Sequence, residues 1–158
     1  MASHSEAQQA RAVRYWVRGG LFLVALGLTA IFITAWKLNP YDDSGQALKM
    51  ETHTQLGLPP CRFVTLFGKP CPSCGMTTSF SLLMHGDIGG SLQANWVGTL
   101  LAISWLALIP WSVLVSFRGK YLWIRSLEKA SYIAVLIFTL LMLVRWGIVL
   151  LELWLAKR

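Results

Sequence analysis

The sequence predicts an all-α integral membrane protein with three transmembrane helices and one short interfacial or re-entrant amphipathic helix. Hydrophobic residues make up 55% of the 158 residues, and charged residues only 13%. A soluble domain of this length has too little interior to bury so much apolar surface. The apolar residues are concentrated in three long runs, and helices satisfy their own backbone hydrogen bonds in lipid. We therefore predict one membrane domain over residues 15–158, preceded by a cytoplasmic tail at residues 1–14.

The three apolar runs give the predicted transmembrane helices. They cover residues 15–36, 96–117 and 131–155, and each can cross a hydrocarbon core of about 30 Å. No small-x-small cleavage site follows the first run, so we interpret it as an uncleaved anchor rather than a removed signal peptide. Pro110 lacks a backbone N–H and is expected to kink the second helix.

The positions of the basic residues predict the orientation of the chain. Its formal net charge is +7. Arg11, Arg14 and Arg18 precede the most apolar part of the first run, Leu21–Trp36, and further basic residues lie in the short loop at residues 118–130. Basic residues beside membrane spans favour the cytoplasmic side. The amino terminus and this loop are therefore expected inside, and residues 37–95 outside. Charge placed in this way argues against nucleic acid as a partner.

The predicted extracytoplasmic segment carries the residues that could take part in binding or catalysis. Residues 75–86 place apolar side chains on one side and hydroxyls with His85 on another, which predicts a short amphipathic helix that cannot cross a bilayer. The sequence Cys71-Pro-Ser-Cys74 lies at its amino-terminal edge, where a helix favours thiolate over thiol. Pro72 fits the first helical turn. The segment therefore begins a helix with a pair of cysteines.

The cysteine spacing allows four roles. A structural disulfide, between Cys71 and Cys74 or between Cys61 and either of them, fits an oxidising compartment and needs nothing further. A redox site using Cys71 and Cys74 would need a relay, for which only Cys61 or a quinone is available. A metal site could use the three cysteines with His53 or His85. Free buried cysteines acting as small apolar residues are the fourth possibility.

Arg145 lies near the middle of the third predicted transmembrane helix. A charged side chain there is costly in lipid, so it points to a functional position. Snorkelling to the interface, or pairing with Glu152 two turns later, would satisfy the charge without a function. The sequence leaves these interpretations open.

Several short motifs occur together between Cys61 and Arg145. They are "CRF" from Cys61, "FGKPCPSCGMT" over residues 67–77, "LLMHGD" over residues 82–87, and Asn95 ahead of a spanning helix. This combination resembles a family of small bacterial integral membrane proteins, a domain of unknown function with a C-P-x-C-G-x-T signature. Besides the cysteines, the motif positions are Pro72, Gly75, Thr77, Gly86, Asp87 and Asn95. The sequence departs from the family pattern at Thr78, where a basic residue is common, and at Trp96, where proline is usual.

The resemblance implies a multi-span protein of the bacterial cytoplasmic (inner) membrane, with the motif in a connecting segment, but no reaction. Three spans enclose little, so we expect the chain to contact a protein partner or a second copy as well as the lipid bilayer. The predicted function is a non-enzymatic accessory or scaffold subunit of an inner-membrane assembly. The alternatives are a membrane thiol–disulfide redox protein using Cys71 and Cys74, and a metal-binding membrane module. No cofactor is expected.

Overall fold

The computed structural model describes residues 15–119 and 126–156, and this part of the chain is all-helical apart from an isolated bridge between Tyr41 and Ala47. The predicted tail at residues 1–14 and residues 120–125 of the predicted loop lie outside the described residues. The helices are α1 (Tyr15–Lys37), a 3-10 helix (Thr52–Leu56), α2 (Arg62–Phe67), α3 (Met76–Met84), α4 (Ile88–Arg118) and α5 (Leu127–Leu155). The predicted fold class is confirmed.

Three of these helices, α1, α4 and α5, are long and apolar enough to cross a membrane. Their mean hydropathies are 2.0, 2.1 and 2.5 over the most apolar windows. Helix α4 begins at Ile88, earlier than the predicted start at residue 96, because Asp87 caps it. The backbone N–H of Gly90 donates to the Asp87 carboxylate at 2.7 Å. Such a cap satisfies a free donor of the first turn and stabilises a helix start even in a glycine-rich stretch.

Helices α1 and α4 are antiparallel. Arg18 Nε at the start of α1 donates to the Ser116 carbonyl near the end of α4 at 2.6 Å, and Ser116 Oγ donates to the Arg18 carbonyl at 3.0 Å. A cation over the last carbonyls of a helix is favourable. Towards the other end of α1, Phe32 packs with Phe80 and Ala102. The buried face of α1 follows helical spacing and consists of Leu21, Ala25, Leu28, Phe32 and Ala35.

Helix α3 packs between α1 and α4. The Phe80 ring stacks on Phe32 with a centroid distance of 5.7 Å, and Trp105 of α4 meets Phe80 edge-on at 5.7 Å. The polar side of α3 is buried as well, since Ser79 and Ser81 have no exposed surface. The short helix is therefore enclosed by the bundle rather than lying along its surface.

Helix α4 is broken at Asn95, which is fully buried and has extended backbone angles (φ −161°, ψ 96°). The backbone N–H of Gly98 donates to Asn95 Oδ1 at 3.0 Å. In an unbroken helix this N–H would donate to the carbonyl of Ala94, four residues earlier. The Asn95 side chain thus replaces the helical bond and releases the Ala94 carbonyl. The kink expected at Pro110 stays a prediction, whereas the non-helical backbone angles within α4 belong to Asn95, where a side chain supplies the missing acceptor.

Helix α5 lies on the outside of this bundle, and none of its residues is buried. Its first residue, Leu127, packs near Leu21 and Val115. Two later residues, Arg145 and Trp146, donate hydrogen bonds to the motif region. Because Leu127 meets the end of α4 and Arg145 meets its beginning, α5 is antiparallel to α4.

Candidate functional site

The sulfur atoms of the three cysteines form one cluster, within 4.8 Å of one another. Cys74 Sγ is 3.1 Å from Cys71 Sγ and 3.4 Å from Cys61 Sγ. All three are free thiols in the structure. The structure therefore brings together the cysteines that the sequence singles out, with Cys74 in contact with both others, while the disulfide stays a prediction.

The sequence Cys71-Pro-Ser-Cys74 forms a turn that precedes α3. The backbone N–H of Cys74 donates to the Cys71 carbonyl at 3.1 Å, and the backbone N–H of Cys71 donates to Cys74 Sγ at 3.1 Å. Helix α3 begins only at Met76, because Gly75 has the left-handed conformation (φ 82°) that interrupts helical geometry. Pro72 consequently lies in the turn, and its assignment to the first helical turn was wrong.

Gly75 lies where three backbone segments meet. A Cβ atom at this position would be 2.6 Å from the Ala94 carbonyl oxygen and 2.7 Å from the Lys49 carbonyl oxygen. Real Cβ atoms do not approach backbone oxygens so closely, so only glycine fits. This contact holds the cysteine turn against the break in α4. The Asn95 amide reinforces it by donating from Nδ2 to the Cys74 carbonyl at 3.1 Å.

Cys61 comes from a separate segment, at the residue before α2. Phe63 of α2 packs against Phe67 at 4.8 Å and edge-on against Trp146 of α5 at 6.1 Å between ring centroids. The Trp146 indole Nε1–H also donates to the Pro70 carbonyl at 2.9 Å, directly before Cys71. Helix α5 therefore contacts both segments that supply the cysteines.

Arg145 approaches the same region from α5. Its guanidinium Nη2 donates to the Ala94 carbonyl at 2.8 Å, which is the acceptor that the Asn95 break releases. The charge is also close enough to Cys71 and Cys74 to interact with them electrostatically. Among the described residues Arg145 forms no ion pair with Glu152, so this contact with the site, rather than that pair, satisfies the charge.

The Cys61 and Cys74 thiols have different pKa values. An interaction with the backbone N–H of Val64, in the first turn of α2, lowers the pKa of Cys61 to about 7, and hydrogen bonds from the other cysteines add to this effect. Burial raises the pKa of Cys74 to about 12. A large share of Cys61 is therefore thiolate near neutral pH, whereas Cys74 carries its proton.

The sulfur cluster lines a cavity of about 230 Å³ that also contains His53. The neighbouring hydroxyls fix the segment of His53, because Thr52 Oγ1 donates to Thr78 Oγ1 at 2.9 Å in a buried contact. His53 Nε2 is 3.3 Å from the Pro59 carbonyl oxygen. Two of the other lining residues carry thioethers, and one is the motif residue Thr77. The remaining lining residues are Met50, Glu51, Ser73, Gly75, Met76, Thr77 and Thr78.

The other predicted ligand, His85, lies at the opposite end of α3. Its Nδ1 is 2.8 Å from the Ser81 carbonyl oxygen, and its ring meets Tyr41 edge-on at 6.2 Å. Gly86 and Asp87 form the turn that leads into α4, where Asp87 acts as the cap. These three motif positions thus stabilise the α3–α4 connection and are not grouped with the cysteines.

A buried hydroxyl network supports the site and was not foreseen. Ser91 Oγ donates to the Ser79 carbonyl at 2.8 Å and lies 2.7 Å from Thr99 Oγ1, while Ser81 Oγ donates to the Leu38 carbonyl at 2.9 Å. These bonds join α3 to α4 and to the end of α1. The available signal was the run of hydroxyls at residues 77–81 inside an apolar context, because buried hydroxyls require partners.

Comparison with protein-family models gives a match to part of the chain. Residues 61–109 match the model of a family described as "Protein of unknown function (DUF2752)". The match begins at Cys61 and includes the cysteine turn, α3 and the first part of α4, but not Arg145. It covers less than half of the chain and agrees with the resemblance to a family without an assigned activity. No curated protein and no protein of solved structure matches the chain.

Proposed function

We propose that the chain is a membrane-anchored thiol–disulfide exchange protein. The observation that carries this proposal is the arrangement of three free sulfurs in which Cys74 is within 3.4 Å of Cys61 and 3.1 Å of Cys71. A nucleophilic thiol beside a resolving thiol is the requirement for exchange. With Cys74 in contact with both neighbours, one chain can supply the attacking, the resolving and a third thiol.

The exchange proceeds in two steps. The Cys61 thiolate attacks one sulfur of a substrate disulfide, forms a mixed disulfide and releases the first substrate thiolate. Cys74 then loses its proton and attacks the Cys61 sulfur, which forms the Cys61–Cys74 disulfide and releases the second substrate thiolate. The substrate gains two electrons from the chain, and the proton that Cys74 loses passes to water or to one of the released thiolates.

Cys71 allows the disulfide to move within the site. Its thiolate attacks Cys74 Sγ, the Cys71–Cys74 disulfide forms, and Cys61 is released as a thiolate. The low pKa of Cys61 makes it a good leaving group as well as an accessible nucleophile. Arg145, which donates to the Ala94 carbonyl, places a positive charge near these sulfurs during the exchange. No step requires a second cysteine pair elsewhere in the chain.

We further propose that the cluster faces the extracytoplasmic side of a bacterial inner membrane. The sulfurs lie at the end of the bundle opposite Arg18 and Arg118, and basic residues favour the cytoplasmic side. Disulfide substrates persist outside. In intact spheroplasts, a membrane-impermeant maleimide should label reduced Cys61 or Cys71 without permeabilisation. Labelling that requires permeabilisation would reverse this orientation.

The exchange proposal is tested with the purified, reduced, metal-free protein and a small aromatic disulfide that releases a coloured thiolate. We expect two coloured thiolates per chain and an internal disulfide as product, because the second thiol displaces the first product. In Cys61→Ser the fast phase should be lost, since the thiol whose pKa is lowered to about 7 is absent. Release at wild-type rate from Cys61→Ser, or a persistent mixed disulfide on the wild-type chain, would contradict the mechanism.

A scaffold role is the second candidate, and α5 favours it. None of the residues of α5 is buried, although its most apolar window has a mean hydropathy of 2.5. Such a helix can pack against a partner in lipid through van der Waals contacts and interhelical hydrogen bonds. Failure of exchange, together with co-purification of one membrane partner that cross-links to α5, would favour this role over the redox proposal.

A further inference from the structure

The positions of the three sulfurs are close to those of a tetrahedral thiolate site. Zinc–sulfur bonds of about 2.3 Å place neighbouring sulfurs about 3.8 Å apart. Here two separations are 3.1 and 3.4 Å, and all the sulfurs lie within 4.8 Å of one another. The two short separations would have to lengthen by only about 0.7 and 0.4 Å to match that tetrahedral spacing. Thiolates select borderline-soft and soft cations over Mg²⁺ and Ca²⁺.

His53 is the nitrogen donor that shares the cavity with these sulfurs. Its Nε2 lies 3.3 Å from the Pro59 carbonyl oxygen, so the tautomer with hydrogen on Nε2 donates there and leaves a lone pair on Nδ1. A ring nitrogen held by a backbone carbonyl is the usual outer contact of a metal-binding histidine, because it fixes the tautomer and the ring orientation. His85 makes a comparable contact, with its Nδ1 2.8 Å from the Ser81 carbonyl oxygen, but it lies at the opposite end of α3 and does not line this cavity.

We infer that Cys61, Cys71, Cys74 and His53 form a binding site for a borderline-soft divalent cation of the Zn²⁺ type. The three sulfurs supply three ligands, and His53, which lines the same cavity, supplies the fourth. Three thiolates and a divalent ion leave one negative charge, which the nearby Arg145 guanidinium offsets. Cys61 and His53 lie on segments other than the turn that carries Cys71 and Cys74. A bound ion would link these segments to the turn and so stabilise this face of the protein, which we propose is extracytoplasmic.

This inference goes beyond the exchange proposal and does not depend on it. A bound cation would occupy the same sulfurs, so exchange requires the metal-free form. Oxidation of Cys61 and Cys74 by a substrate disulfide would remove two of the four ligands and release the ion. Metal binding would in this way keep the thiols reduced and closed to exchange until the ion is lost.

The test titrates Co²⁺ into the reduced full-length protein in detergent without oxygen, with Zn²⁺ as competitor. We expect one Co²⁺ per chain, an intense thiolate-to-cobalt absorption band, tetrahedral visible bands, and displacement of Co²⁺ by Zn²⁺. His53→Ala and His53→Gln should each weaken Co²⁺ binding at least about tenfold, which is the scale of losing even an outer partner. His85→Ala is the matched control and should bind Co²⁺ as the wild type does.

Two results would overturn the inference: no thiolate-to-cobalt band in the wild type, or wild-type affinity in both His53 variants. Circular dichroism of each variant, compared with the wild type, tells a folding defect from a lost ligand, and the glutamine variant keeps a side chain of similar size. The exchange assay is run with a chelator present. Exchange without cobalt binding therefore overturns only the metal site, and cobalt binding without exchange overturns only the proposed function.

Discussion

Replacing Cys74 by serine is expected to leave the chain able to form a mixed disulfide but unable to resolve it. Cys74 is the thiol within 3.4 Å of Cys61 and within 3.1 Å of Cys71. Without it, attack on the mixed disulfide falls to Cys71 or to an external thiol. Loss of a positioned intramolecular nucleophile should slow release of the second substrate thiol at least about a hundredfold. Stopped-flow absorbance of the coloured leaving group measures both phases.

Cys71→Ser is the matched control for this prediction. It removes a sulfur from the same turn but keeps the contact between Cys61 and Cys74. Both phases should therefore persist in Cys71→Ser, with the Cys61–Cys74 disulfide as the only internal product. If Cys74→Ser instead completes both phases at the wild-type rate while Cys71→Ser fails, Cys71 is the resolving thiol and the role given to Cys74 is wrong.

Replacing Gly75 by alanine is expected to have the largest effect on stability. The added Cβ would lie 2.6 Å and 2.7 Å from two backbone carbonyl oxygens, and the residue has a φ of +82°. A left-handed conformation alone costs a residue with a Cβ about 1–2 kcal/mol, and overpacking adds about 1–3 kcal/mol. The free energy of unfolding should therefore fall by about 2–5 kcal/mol, measured by equilibrium unfolding in mixed micelles.

Gly86→Ala is the control for the cost of placing a Cβ on a residue in the left-handed backbone conformation. Gly86 has nearly the same φ of +81°, but nothing lies within 4 Å of the position of its added Cβ. Its alanine variant should lose only the conformational part, about 1–2 kcal/mol. Equal losses in the two variants would mean that the segments around Gly75 move apart at little cost, contrary to the tight contact described above. Thiol accessibility should rise in Gly75→Ala and stay unchanged in Gly86→Ala.

The membrane architecture could be predicted from the sequence because long apolar runs specify transmembrane helices with few alternatives. The apolar side of α3 was also readable, since Phe80 and its helical neighbours recur at the spacing of one face. The starts of α4 and α5 could not be predicted from hydropathy, because they depend on the capping residues Asp87 and Ser126. These caps lie in polar stretches that hydropathy assigns to loops.

The candidate site could be predicted only in part. The short spacing of Cys71 and Cys74 places them together in any local structure, but the arrival of Cys61 depends on how α2 packs against Trp146. The role of Asn95 is tertiary in its result, because its local bond to Gly98 replaces a helical hydrogen bond and frees the Ala94 carbonyl for Arg145, a contact across 51 residues. Neither contact follows from spacing or composition, since each joins residues far apart in the sequence.

The most direct test of the central claim, that three sulfurs form one reactive cluster around Cys74, is mapping of the disulfides formed by one equivalent of oxidant. The reduced, metal-free wild-type protein is oxidised, free thiols are blocked, and the linked peptides are identified by mass spectrometry. Two products are expected within single chains, Cys71–Cys74 and Cys61–Cys74, with Cys74 common to both. Disulfides only between chains, or a Cys61 that is always recovered as a free thiol, would contradict it.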